Sequence, residues 1–136
     1  MTMARELMTV DPVSIRDTDT LLVAARTMRN SGRSSVPVCD EGHRLTGVLT
    51  ERDIVVGCVA EGIDPGATTA GEVTAGVQVA VEADDCIEAA LQLMATKRVR
   101  RVPVVDQGRL VGDLHEAAVV VALPAVAVKH VRRPRA

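Results

Sequence analysis

The sequence predicts an α/β (α+β) fold of two pseudo-symmetric repeats, each a small sheet flanked by helices, packed as one module. Three observations carry this. The first is an internal duplication. Displaced by 66 positions, Ala4 falls on Ala70, Glu6 on Glu72, Val13 on Val79, Asp19 on Asp85, Ala24 on Ala90, Met28 on Met94, and Val36-Pro37-Val38 on Val102-Pro103-Val104. One residue then drops out and the offset becomes 65: Arg44 meets Arg109, Leu45 meets Leu110, Gly47 meets Gly112, Leu49 meets Leu114 and Glu51 meets Glu116. An ordered series with one gap marks a repeat. The second is periodicity, which alternates between strand-like and helix-like within each copy. The third is size. Half of a 136-residue chain is too short to bury a good core alone, so the halves are expected to pack together.

Each copy opens with a short helix, Ala4–Met8 or Ala70–Thr74, the second introduced by the capping-box pattern Thr69-x-x-Glu72. A short extended piece follows, Val13–Ile15 or Val79–Val81. Next comes an amphipathic helix, with Leu21, Ala24, Ala25 and Met28 on one face and Ile87, Ala90, Leu91 and Met94 repeating it. A β-hairpin is then predicted over Ser34–Cys39 and Arg44–Leu49, and again over Arg101–Val105 and Arg109–Leu114, with polar turns between. A last helix starts at Thr50 or His115, and Ile54, Val55, Cys58 and Val59 form its apolar face in the first copy. Gly62-Ile63-Asp64-Pro65-Gly66 breaks the pattern. The expected organisation is repeat 1 over 1–62, a linker at 63–68, repeat 2 over 69–123 and a basic tail at 124–136.

Composition narrows the function. The chain has no Phe, Tyr or Trp. That excludes aromatic stacking platforms for single-stranded nucleic acid and aromatic cages for quaternary ammonium ligands. With 47% apolar residues and a net charge of −2, it can bury a core and is not disordered. All 18 acidic residues lie at or before Glu116, so the body is acidic, which argues against nucleic acid as a partner. Lys129, Arg132, Arg133 and Arg135 form a basic end that reads as solvated. The longest apolar run, 117–128, is interrupted by Pro124 and falls well short of the ~20 residues that span a membrane. It is expected to be buried against the module and then against a second subunit. No export signal is seen, and three cysteines, an odd number, suggest reduced thiols in the cytoplasm. Cys39, Cys58 and Cys86 lack CxxC spacing, and Cys39 and His43 straddle a turn, so no metal site is expected. No nucleophilic triad, P-loop or GxGxxG is present, and the protein is not expected to be an enzyme.

Val36-Pro37-Val38-Cys39-Asp40, followed by Leu45-Thr46-Gly47-Val48-Leu49-Thr50-Glu51-Arg52-Asp53-Ile54, resembles the signature of the CBS domain. Such domains occur in tandem pairs called Bateman modules. The chain is similar to one stand-alone pair over roughly residues 1–123. The resemblance implies an adenosyl ligand (AMP, ATP, S-adenosylmethionine or similar) in the cleft between the repeats, with no cofactor required. It implies that Asp53 accepts hydrogen bonds from the ribose hydroxyls and that Thr50 meets a phosphate or the ribose side. Ser34, Ser35, Val36 and Pro37 would line the adenine, with Val13 and Ser14 closing the other side and Arg52 alongside. Arg100 or Arg101 would reach a phosphate, although Lys97 and Arg98 beside them read as cations at a helix end. Thr50-x-x-Asp53 reads equally as a capping box, and one threonine can serve both roles.

The second copy departs from this pattern. His115 stands at the Thr50 position, Ala118 at the Asp53 position, and Asp113 where the first copy has Val48. One adenosyl site per chain, in repeat 1, is therefore expected. The resemblance also implies a homodimer and output in trans to a protein partner of unknown identity. The alternative is a ligand-independent dimerisation or interaction module with a vestigial cleft.

Overall fold

The computed structural model describes residues 1–77 and 79–123. The expected basic tail and the end of the apolar run, from Pro124, lie outside the described residues. The chain forms two compact units, and neither is a sequence half. Unit 1 is Met1–Pro12 with Val79–Ala136, and unit 2 is Val13–Gln78.

Unit 2 holds a three-stranded sheet of order β2-β3-β4, made of β2 (Ile15–Arg16), β3 (Ser35–Cys39) and β4 (Leu45–Thr50). β3 runs parallel to β2 and antiparallel to β4. Helix α2 (Leu21–Ser31) lays Leu21, Ala24 and Met28 on this sheet, against Ile15, Val36, Val38 and Leu49. The 3.6-residue spacing of the helix and the 2-residue spacing of the strands meet in one core. Proline is disfavoured in a central strand, because it cannot donate to the ladder. Pro37 is tolerated because β2 pairs with β3 only from Val38 onward. After β4 comes one turn of helix, α3 (Glu51–Ile54), and then a π-helical turn, Val55–Val59. That turn buries Cys58 and leaves Val55 and Val59 exposed, so the apolar face expected of this helix is only half buried. The unit is completed by helix α4 (Ala70–Val73).

Unit 1 repeats the plan with one strand more. Its sheet has the order β1-β7-β6-β5, from β1 (Thr9–Val10), β5 (Val81–Glu82), β6 (Arg101–Asp106) and β7 (Arg109–His115). Helix α5 (Ile87–Lys97) packs Ile87, Ala90, Leu91 and Met94 against Val81, Val102, Val104 and Leu114. Helix α6 (Glu116–Ala122) adds Val119 to that core while Val121 stays 87% exposed, so it is one-sided over its described length.

The short opening helices explain why units and halves differ. Helix α1 (Ala4–Leu7) belongs to repeat 1 but docks in unit 1, through Ala4 N–H to Asp85 O at 2.8 Å and Arg5 N–H to Ala83 O at 3.0 Å. Ile87 N–H returns to Thr2 O at 3.1 Å. In unit 2, α4 docks by the corresponding bonds: Ala70 N–H to Asp19 O at 2.7 Å, Gly71 N–H to Asp17 O at 2.9 Å, and Leu21 N–H to Thr68 O at 2.9 Å. Each repeat thus gives its first helix to the other repeat's sheet.

Candidate functional site

The hairpin of unit 2 builds the candidate site. Its register pairs Ser35 with Thr50, Val36 with Leu49, and Pro37 with Val48. Alternation sends Val36, Val38 and Leu49 into the core, each 0% exposed. Ser35, Pro37, Val48 and Thr50 therefore share the opposite face. The Val36 side chain is spent on packing, and only its backbone is left to meet a ligand. Ser34 is exposed, and its carbonyl accepts from Glu51 N–H at 2.9 Å, which ties the start of β3 to the start of α3. Val13 and Ser14 precede β2, whose Ile15↔Val38 register carries them back alongside Val36 and Pro37. Seen along the chain these residues are scattered; the sheet gathers them at one end.

Thr50 and Asp53 close that end. Asp53 N–H donates to Thr50 Oγ1 at 3.0 Å, and Thr50 N–H donates to Asp53 Oδ2 at 2.9 Å. The capping reading of this motif is therefore correct, and it does not exhaust the carboxylate. Asp53 is only half-buried, and among the described residues its Oδ1 has no hydrogen-bond partner. A carboxylate with one oxygen anchored and the other available is oriented to accept from a hydroxyl. Arg52, beside it, is exposed.

Gly47 completes the face from behind. A Cβ there would overlap the Thr74 methyl and press on the Gly76 carbonyl at 3.3 Å. The chain after α4 can cross β4 this closely only because residue 47 has no side chain. Unit 1 repeats the arrangement, with the Met8 side chain over Gly112.

The counterpart face in unit 1 keeps the backbone and changes the chemistry. Glu116 N–H bonds to Arg100 O at 2.8 Å, and the register pairs Arg101 with His115 and Pro103 with Asp113. His115 caps α6 with Nδ1, which accepts from Ala117 N–H at 3.1 Å. Arg100 is exposed. Arg101 forms an ion pair with Asp113, which is 3% exposed. Asp113 stands out in the sequence as a departure from Val48, and its pairing with Arg101 emerges only in the structure. The hairpin register was the available signal, since it makes the two residues diagonal neighbours on one face.

The cysteines are free thiols. Burial, helped by Asp40 and Asp17, pushes the Cys39 thiol up to about 11. Cys58 is buried and donates to Ile63 O at 3.1 Å. Among the described residues no three His, Cys, Asp or Glu side chains gather as a metal site. No helix among them is long and apolar enough to cross a membrane.

The CBS domain pattern matches residues 4–58 and again 71–125. Hypoxic response protein 1 of Mycobacterium tuberculosis is 39% identical over 128 residues, which cover 94% of this chain and 90% of that protein. The crystal structure of Hypoxic Response Protein I, with two coordinated zinc ions, superposes with a TM-score of 0.81 at 39% identity, covering 90% of this chain and 100% of the other. The CBS domain of a bacterial CNNM/CorC family Mg2+ transporter, solved in complex with ATP, superposes with a TM-score of 0.70 at 26% identity, covering 88% and 84%.

Proposed function

Since the chain belongs to the CBS domain family and carries that domain twice, we propose that it is a non-catalytic regulatory module that binds an adenosyl ligand on the Ser35–Thr50–Asp53 face of unit 2. The observation that carries the reading is the Asp53 carboxylate. Its Oδ2 is pinned by Thr50 N–H, and its Oδ1 is left to accept from a ribose hydroxyl. ATP in the CNNM/CorC domain supports the ligand class. With no aromatic ring in the chain, the adenine would lie between aliphatic and backbone groups, of which Val13, Pro37 and the Val36 backbone are the nearest to that face.

The phosphate contact expected of Arg100 and Arg101 is a separate part of the proposal, because both residues belong to the other unit. No role is proposed for a metal. Hypoxic Response Protein I was solved with two coordinated zinc ions. Signalling in trans from a homodimer completes the reading. The exposed Val55, Val56 and Val59, at 56%, 50% and 64%, support a protein-binding surface next to the site. Free thiols, two of them buried, suit a reducing compartment, and we place the protein in the cytoplasm on that ground.

Equilibrium dialysis tests the ligand. A protein without Tyr or Trp is nearly transparent at 280 nm, so adenine retained with it is read directly near 260 nm. Retention of AMP, ATP or S-adenosylmethionine supports the proposal. Retention of none contradicts it and favours the pure interaction module that the exposed valines also fit.

A further inference from the structure

We propose that the Arg101–Asp113 ion pair occupies, in unit 1, the face that unit 2 offers to its ligand, and so limits the chain to one ligand. The inference rests on the reading of unit 2 as the adenosyl site and adds what sets the stoichiometry.

The two hairpins are built on the same backbone frame. Ser35↔Thr50 and Pro37↔Val48 in unit 2 correspond to Arg101↔His115 and Pro103↔Asp113 in unit 1. Both frames are closed by the same bond, Glu51 N–H to Ser34 O and Glu116 N–H to Arg100 O. The difference therefore lies in side chains. The unit 2 face carries a short hydroxyl at Ser35 and an uncharged Val48. At these two positions unit 1 carries opposite charges, and they bind each other.

The Arg101 side chain reaches diagonally from the first residue of β6 to Asp113 of β7, the counterpart of the Ser35–Val48 strip on which the adenosyl group is placed in unit 2. Asp113 is 3% exposed, and a carboxylate that deep is kept by the partners that satisfy it. A ligand entering unit 1 would have to draw Arg101 away and leave the buried carboxylate short of a donor, an unfavourable exchange. Loss of the ribose carboxylate at Ala118 alone would have left the face open; the ion pair fills it.

Calorimetric titration with ATP as the probe separates the outcomes. One ATP per wild-type chain is expected. Two would overturn the role of the pair while leaving the reading of unit 2 intact, and no binding of ATP, AMP or S-adenosylmethionine would overturn both. Ser35→Arg with Val48→Asp, which installs the pair in unit 2, should weaken ATP binding on the order of 100-fold. Unchanged affinity in a folded double variant overturns the proposal. A graft in unit 1 tests it without touching unit 2. Arg101→Ser, Asp113→Val, His115→Thr and Ala118→Asp together should bring the count to two. His115→Thr with Ala118→Asp alone, the pair retained, should leave it at one. A count of one in the folded four-residue graft, or of two in the control, contradicts the proposal.

Discussion

Thr50 and Asp53 hold each other across a single helical turn, the hydroxyl accepting from one backbone N–H and the carboxylate from the other, at 3.0 and 2.9 Å. This reciprocal cap explains why a four-residue helix starts where it does. It also fixes the orientation of the carboxylate before any ligand arrives. Asp53→Ala should lose the carboxylate's half of this pair, while the residue-53 N–H still reaches Thr50 Oγ1. The ligand-free protein should be about 1 kcal/mol less stable, the usual net worth of one hydrogen bond. Asp53→Asn retains an oxygen for the Thr50 N–H and should recover most of that stability. Urea unfolding of the three proteins checks the order wild type, Asn, Ala.

Gly47 and Thr74 set the second prediction. A methyl at residue 47 would overlap the Thr74 methyl, and Thr74 cannot simply rotate away, because its hydroxyl donates to Ala70 O at 2.6 Å. Gly47→Ala should therefore destabilise by about 1–3 kcal/mol, the range for overpacking. Thr74→Ser removes the offending methyl and keeps the hydroxyl, so the double variant should recover part of the loss. The Gly76 carbonyl, at 3.3 Å, sets the remainder. A double-mutant cycle with no coupling between 47 and 74 would contradict this contact.

Much of this was legible in the sequence because the duplication could be checked against itself. The two hairpins and the helix starts at Thr50 and His115 fall within a residue or two of expectation. What the pattern did not reveal was partnership over distance. Nothing local to Ala4–Leu7 says that it docks on Ala83 and Asp85 and not on its own repeat. The two-residue strand β1 is invisible for the same reason, being defined only by Thr9↔Asp113 and Val10↔Gly112. Thr50 and Asp53 could be found from spacing as a capping pair. The burial of the Val36 side chain follows from strand alternation. The exposure of Val55 and Val59 follows from the π-helical turn, which apolar spacing alone does not signal.

Arg98 offers a stabilising change. It ends α5 in the left-handed conformation, with φ at 57°, where the corresponding position after α2 is Gly32 at 67°. A side chain in that region is strained, whereas glycine is not. Arg98→Gly should raise stability by about 1 kcal/mol, offset slightly by the freer unfolded chain. Thermal unfolding of the single variant checks the sign.

The Arg101–Asp113 pair should respond asymmetrically. Asp113 is 3% exposed and the Arg101 side chain 37%. Arg101→Ala leaves a buried carboxylate without its guanidinium and should cost about 3 kcal/mol, at the lower end for breaking a buried pair. Asp113→Val leaves a guanidinium that can still reach water, so it should cost less. The double variant Arg101→Ala/Asp113→Val should be more stable than Arg101→Ala alone. Equal costs for the two single variants would contradict the burial difference.

Cys39 predicts a pH dependence. Its thiol is pushed up from 9.0 to about 11 in the folded protein. Between those values the unfolded chain releases a proton that the folded chain retains, so folding is increasingly disfavoured. The stabilisation is complete below pH 9 and lost as pH rises toward 11. Cys39→Ala should be less stable at neutral pH but flatter from pH 9 to 11. At pH 8 a thiol reagent should modify the half-buried Cys86 before the buried Cys39 and Cys58.

The central claim is that an adenosyl ligand binds through Asp53, and a paired melting experiment tests it most directly. Ligand-free wild type and Asp53→Ala are each melted with and without ATP, AMP and S-adenosylmethionine. A ligand at 100 times its dissociation constant adds about 2.7 kcal/mol to the folded state, a shift of several degrees for a chain of this size. That shift is expected for wild type with at least one of the three, and its loss in Asp53→Ala. An equal shift in both proteins, or none in wild type, would contradict it.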